Sequence, residues 1–134
     1  MEYMLMPYRR YVDFDGRSRR KEFWMFQLFQ VLVYAAILAL MFALGIDYDL
    51  EDPQPNSMMF VAIGIMALFW LVTLIPQIAV VVRRLHDQSK TGLWILIYLL
   101  PVAGGLVLLV FMLLEGTDGP NEYGPDPKAP AAPG

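Results

Sequence analysis

Charged and apolar positions are sharply segregated along this chain. No charged residue falls between Phe23 and Ile46, a run longer than the roughly 20 residues that carry a helix across a hydrocarbon core about 30 Å thick. Asp47, Asp49, Glu51 and Asp52 follow, with Pro53 and Pro55, and this acidic, proline-bearing stretch opposes helix continuation. A second uncharged run occupies residues 57–82, and a third extends from Gly92 to Leu114, bounded by Glu115. The pattern predicts an all-α integral membrane protein with three transmembrane helices, over 23–46, 57–82 and 92–114. The remaining segments read as a basic N-terminal segment (1–22), an acidic external loop (47–56), a basic loop (83–91) and a Pro/Gly-rich tail (115–134), the tail expected to be extended or disordered.

Orientation follows from Lys and Arg near the span ends, which resist translocation. Arg9, Arg10, Arg17, Arg19, Arg20 and Lys21 precede the first run, and Arg83, Arg84 and Lys90 separate the second from the third, so that only Lys128 lies elsewhere. The N-terminus and the 83–91 loop are therefore expected in the cytoplasm. Three crossings would then put the tail outside. Pro101, Gly104 and Gly105 interrupt the third run, because proline removes a backbone hydrogen bond and glycine weakens a helix. A helix kinked at these residues is the favoured expectation. A re-entrant hairpin returning the tail to the cytoplasm is the alternative, disfavoured because non-helical backbone at that depth needs protein or water around it.

Composition narrows the chemistry. Hydrophobic residues make up 57% of the 134 positions, so the bilayer is the expected solvent, and the net charge of -3 hides two basic clusters. Without cysteine, and with His86 as the single histidine, the chain has no thiol nucleophile, disulfide or multi-histidine metal site. No phosphate-binding glycine loop, nucleophile elbow or metalloprotease histidine pair occurs, and the spans carry no ionisable residue of the kind that marks an ion path. These observations predict no enzymatic activity, no cofactor and no nucleic-acid partner.

Two groups of residues stand out as candidate sites. Arg17, Arg19, Arg20, Arg83, Arg84 and His86 cluster where the chain meets the membrane, beside Phe23 and Trp24. They read first as a topology signal and, beyond that, as a headgroup site for anionic membrane lipids. Asp15 and Glu22 are placed to pair with some of these arginines, whereas His86 and Asp87, adjacent on a helix, do not face each other. Gln27, Gln30, Thr73, Gln77 and Tyr98 fall at similar depths from the cytoplasmic ends of their runs and predict an intramembrane polar layer beside a bend at Pro76. Interhelical hydrogen bonding is its ordinary role, and a small headgroup cavity roofed by the arginines is the sharper one. A homo-oligomer, a membrane-protein partner and an oligomeric channel remain open, with no clear GxxxG face to choose among them.

Several stretches together are similar to one family. FDGRSRRKEFW from Phe14 to Trp24, RRLHD from Arg83 to Asp87, the segment from Thr91 to Trp94, and GTDGPNEYGPDP from Gly116 to Pro127 resemble the small bacterial inner-membrane proteins of the domain-of-unknown-function 805 family. The resemblance spans Tyr11 to Lys128. It implies a bacterial plasma-membrane protein, and it implies no mechanism and no catalytic residue. The chain as a whole reads as a structural, assembly or interaction protein, with a lipid-headgroup-binding or transport-related module as the alternative.

Overall fold

In the computed structural model, residues 1–44 and 57–130 are described. The acidic 47–56 loop, the last two positions of the first apolar run and residues 131–134 lie outside them. Among the described residues the protein is all helical, without a strand. The helices are α1 (Glu2–Arg9), α2 (Arg20–Ala43), α3 (Ser57–Asp87), a 3₁₀ helix (Gly92–Leu99) and α4 (Ala103–Leu113). Helices α2 and α3 are long and apolar enough to cross a membrane, and α4 is a shorter apolar helix.

Both long helices run beyond the uncharged stretches that define them. Helix α2 takes in Arg20, Lys21 and Glu22, and α3 continues through Arg83 to Asp87, so the basic 83–91 segment is helix for half its length. The N-terminal segment, in which no helix was expected, contains α1, which packs on α2 and α3. Its Tyr8 sets its ring edge-on to Phe26 (5.3 Å) and Phe29 (5.9 Å), and its hydroxyl shares a 2.7 Å hydrogen bond with Thr73.

The third apolar run is not one continuous helix. Its first arm is a 3₁₀ helix of 8 residues and its second an α-helix of 11, each about 16 Å long, or half the hydrocarbon thickness. The arms lie antiparallel. Trp94 meets Phe111 edge-on at 5.6 Å, the Lys90 ammonium sits 4.9 Å from the Phe111 ring centroid, and Gln88 donates to the Phe111 carbonyl. Pro101 occupies the turn, and Gly104 permits it, because a Cβ there would overlap the Ile97 carbonyl. Beside them Val102 takes φ +61°, which a β-branched residue adopts only under tertiary constraint. The sequence signals expected to bend a helix instead reverse the chain.

The core lies in the half of the protein that holds the hairpin. Phe23 and Phe26 of α2, Val80 and Leu85 of α3, and Leu108 and Met112 of α4 form one buried cluster. Beyond it α2 and α3 continue as a pair, touching through Tyr34 and Phe69 at 5.1 Å, while Leu38, Leu40, Phe42, Phe60 and Leu68 face outward.

Pro76 lies inside α3 and has no N–H to offer the carbonyl four residues earlier. That carbonyl belongs to Val72, and the Tyr11 hydroxyl donates to it at 2.7 Å. An orphaned backbone acceptor within an apolar helix is thus satisfied from the N-terminal segment, as an apolar setting requires. Tyr11→Phe should lower unfolding stability by about 1 kcal/mol. In a Pro76→Ala background, where the helix supplies its own donor, the same change should be nearly neutral. A double-mutant cycle in SDS titrations reads the difference.

Candidate functional site

The basic clusters and the tail meet in one buried ionic node at the C-terminal end of α3. Asp87, 1% exposed, is its centre. The Arg17 Nε and Nη2 atoms both lie 3.0 Å from Asp87 Oδ1, and Arg84 Nη1 pairs with Oδ2. Arg17 then engages its remaining donors with the tail: Nη1 donates to the Gly119 carbonyl at 2.6 Å, and Nη2 donates to that of Thr117. Arg84 Nη2 donates to the Leu114 carbonyl at the end of α4. The planar five-donor guanidinium suits such a position, since it can serve a carboxylate and several carbonyls together.

A second pair lies beside the first. Arg83 Nη2 donates to Glu22 Oε1 at 2.9 Å, and its Nη1 donates to the Asp13 carbonyl. The Arg83 carbonyl in turn accepts from the Ser18 N–H at 3.0 Å. Arg83 and Arg84 are both fully buried, and their Nε atoms, with Ser18 Oγ, have no hydrogen-bond partner among the described residues.

The tail closes over the node instead of leaving it as a disordered strand. Thr117 N–H donates to the Asp87 carbonyl at 2.6 Å, and Gly116 passes so near the Asp87 carboxylate that a Cβ would overlap it. Asn121 Nδ2 donates to the His86 carbonyl at 2.9 Å. The His86 ring stacks on Tyr123, centroids 4.0 Å apart and planes 2° from parallel, while its Nδ1 donates to the Gly16 carbonyl at 3.1 Å. That acceptor places a proton on Nδ1. Asp126 folds the tail on itself by accepting from the Lys128 N–H at 2.9 Å and the Gly119 N–H at 3.0 Å. The composition that suggested disorder supplies turns whose carbonyls saturate Arg17.

Of the basic residues expected at the membrane surface, Arg17, Arg83 and Arg84 are therefore buried and internally paired, and His86 is packed under the tail. Arg20 makes an exposed 2.7 Å pair with Glu115, and Arg19 lies beside Tyr3. Within the expected polar layer, Gln27 and Gln30 both donate to Gln77 Oε1, at 3.0 and 2.8 Å, tying α2 to α3. Thr73 joins at the next turn through Tyr8. Tyr98 does not, being 70% exposed on the 3₁₀ arm. The sequence reading missed Asp87 as the centre, along with Tyr8, Tyr11, Asn121 and Tyr123. The spacing of Tyr8 and Tyr11, and the motif shared by the tail, were the signals available.

Such an arrangement defines an all-helical membrane protein with two long apolar helices, a shorter third and a polar cap built from distant segments. The chain matches the family described as "Protein of unknown function (DUF805)" over residues 11–125 and belongs to it. It is 42% identical over 128 residues to the inner membrane protein YhaI of Escherichia coli K12, covering 96% of this chain and 97% of the relative. To YhaH of the same strain it is 36% identical over 129 residues, covering 96% and 98%. Similarity to YiiR of that strain is 29% over 139 residues, covering 85% of each. No solved structure matches the chain. The family interval takes in Arg17, Glu22, Arg83, Arg84, Asp87 and Asn121, the residues that build the node.

Removing one partner from a buried ion pair leaves an uncompensated charge, at a cost of about 3–5 kcal/mol. Asp87→Ala, which strands two guanidiniums, should lower unfolding stability by that amount in SDS titration. Arg20→Gln, which breaks an exposed pair, should change it by less than about 1 kcal/mol.

Acidification should release the tail first. Hydrogen bonding and charge from Lys128 hold the Glu115 carboxyl below its usual range, and the Lys128 and Gly119 N–H groups do the same for Asp126. A depressed folded value contributes stability that is present above the unfolded value, near pH 4, and lost as pH falls through the folded one. Hydrogen exchange in residues 116–128 should therefore accelerate, relative to an unstructured-peptide reference, as pH drops below about 4, ahead of exchange in α3.

Proposed function

We propose that this protein is a non-enzymatic structural or interaction component of the bacterial inner membrane, with a folded cytoplasmic cap. Helices α2 and α3 cross the bilayer, the Gly92–Leu113 hairpin enters and leaves from the cytoplasmic side, and the N-terminal segment and tail share that side. The observation that carries this reading is the use of the chain's ionisable chemistry on itself. Arg17, Arg83 and Arg84 are paired with Glu22, Asp87 and backbone carbonyls, and the tail lies against Asp87. Positive charge near span ends supports the cytoplasmic assignment, and the inner-membrane names of the two relatives support the compartment.

The hairpin also accounts for the tail, since the end of α4 must return to Arg84 and Asp87 at the level from which the 3₁₀ helix departs. The two-span reading thus replaces the third crossing. The 134 residues contain no cysteine, so single-cysteine variants give a clean topology test. With a membrane-impermeant maleimide, Asp15→Cys and Asp118→Cys should label only in inside-out vesicles, and Ser57→Cys only in right-side-out ones. Labelling of Asp118→Cys together with Ser57→Cys would replace the hairpin by a third crossing.

A further inference from the structure

Ionic pairing separates the basic residues into two sets. Arg10, Arg17, Arg20, Arg83, Arg84 and Lys128 each contact a carboxylate. Arg9, Arg19, Lys21 and Lys90 do not pair with any carboxylate among the described residues. Lys90 is engaged by Gln88 and the Phe111 ring, whereas Arg19 and Lys21 converge on one aromatic ring. The Arg19 guanidinium carbon lies 5.3 Å and the Lys21 ammonium 4.9 Å from the Tyr3 ring centroid, and Arg19 Nη1 also donates to the Tyr3 hydroxyl at 3.4 Å. Two like charges drawn to the same ring repel each other, and the ring quadrupole offsets only part of that repulsion. Neighbouring Glu2 forms no ion pair with either.

The location adds a second constraint. Lys21 and Trp24 are three residues apart on α2 and share a face. Trp24 is 36% exposed and stands edge-on to buried Phe23 at 5.2 Å, where the uncharged run begins. An exposed indole at such a boundary occupies the headgroup level. Arg19 and Lys21 therefore lie where lipid phosphates lie.

We infer that Arg19 and Lys21, held by Tyr3, form a binding site for the phosphate of an anionic phospholipid, with Trp24 lying along its upper acyl chain. A phosphate between the two cations removes their repulsion and supplies the acceptors that the protein withholds. This inference rests on the proposed reading only in taking Phe23 as the point where α2 enters the membrane. Vesicle labelling tests sidedness, whereas the following test in detergent is blind to it, so either can fail alone.

Delipidated protein in mild detergent would receive equal amounts of phosphatidylglycerol and phosphatidylcholine with matched chains, and bound lipid would be counted by native mass spectrometry. The wild type should retain phosphatidylglycerol in preference by about tenfold or more. Arg19→Gln/Lys21→Gln should bring that ratio near unity. Arg20→Gln, which removes a paired cation one residue away, should keep the preference. Equal retention of both lipids by the wild type, an undiminished preference in the double variant, or an equal loss in Arg20→Gln would each overturn the inference. Should the double variant not purify folded, the wild type in about 1 M salt provides the second measurement. Screening over about 3 Å should there remove the preference while leaving total lipid retention, and a preference that persists counts against the site.

Discussion

A carboxylate removed from water must be paired, and the arrangement around Asp87 follows from that requirement. Its two oxygens are shared between Arg17, 70 positions earlier, and Arg84, three positions earlier on the same helix. Neither guanidinium is satisfied by the carboxylate alone. Arg17 needs the tail carbonyls, and Arg84 needs the carbonyl that closes α4, so one buried charge draws together the N-terminal segment, the end of α3, the end of the hairpin and the tail. The neighbouring Arg83 and Glu22 pair joins α2 to the same point. Buried pairs of this kind add little net stability over an apolar core, but they penalise every arrangement that leaves one partner alone. Here they specify which segments meet.

The hairpin is a consequence of this specification. Leu114 and Thr117 must reach Arg84 and Asp87, and Gly92 starts within five residues of Asp87, so the apolar run between them has to begin and end at the same level. A straight α-helix of that length would carry Leu114 roughly 30 Å away, because each residue advances 1.5 Å. Pro101 stops the first arm, Gly104 lets the second lie against it, and the two arms match in length although their helical types differ. Trp94 on Phe111 then closes the pair with apolar contact.

Hydrophobic runs, charge segregation and helical spacing made much of this fold legible. Gln27 and Gln30 meet Gln77 because residues three and four apart share a helix face, a rule that needs no tertiary knowledge. The limits were tertiary. Arg83 reads as a surface cation until Glu22, 61 positions away, is known to lie beside it. Tyr98 has the right depth but sits on an arm whose direction depends on the hairpin. The tail reads as disorder because proline and glycine disfavour helices and strands, yet that composition also builds turns that present carbonyls to a buried guanidinium. Pro76 reads as a bend, while its further effect, a free Val72 carbonyl, becomes visible only with Tyr11 in place.

On the orientation proposed above, the same arginines act twice. In the unfolded chain their charges are free, and Arg17, Arg83 and Arg84 resist translocation, which keeps the N-terminal segment and the end of α3 in the cytoplasm. Once α2 and α3 are inserted, those charges lie close to Glu22 and Asp87 and are neutralised by pairing as the tail closes. Arginine fits both tasks better than lysine, because it stays charged at any physiological pH and its planar fork serves several acceptors after burial. Arg19 and Lys21 complete only the first task within the chain itself, and their charge therefore remains available at the membrane surface after folding.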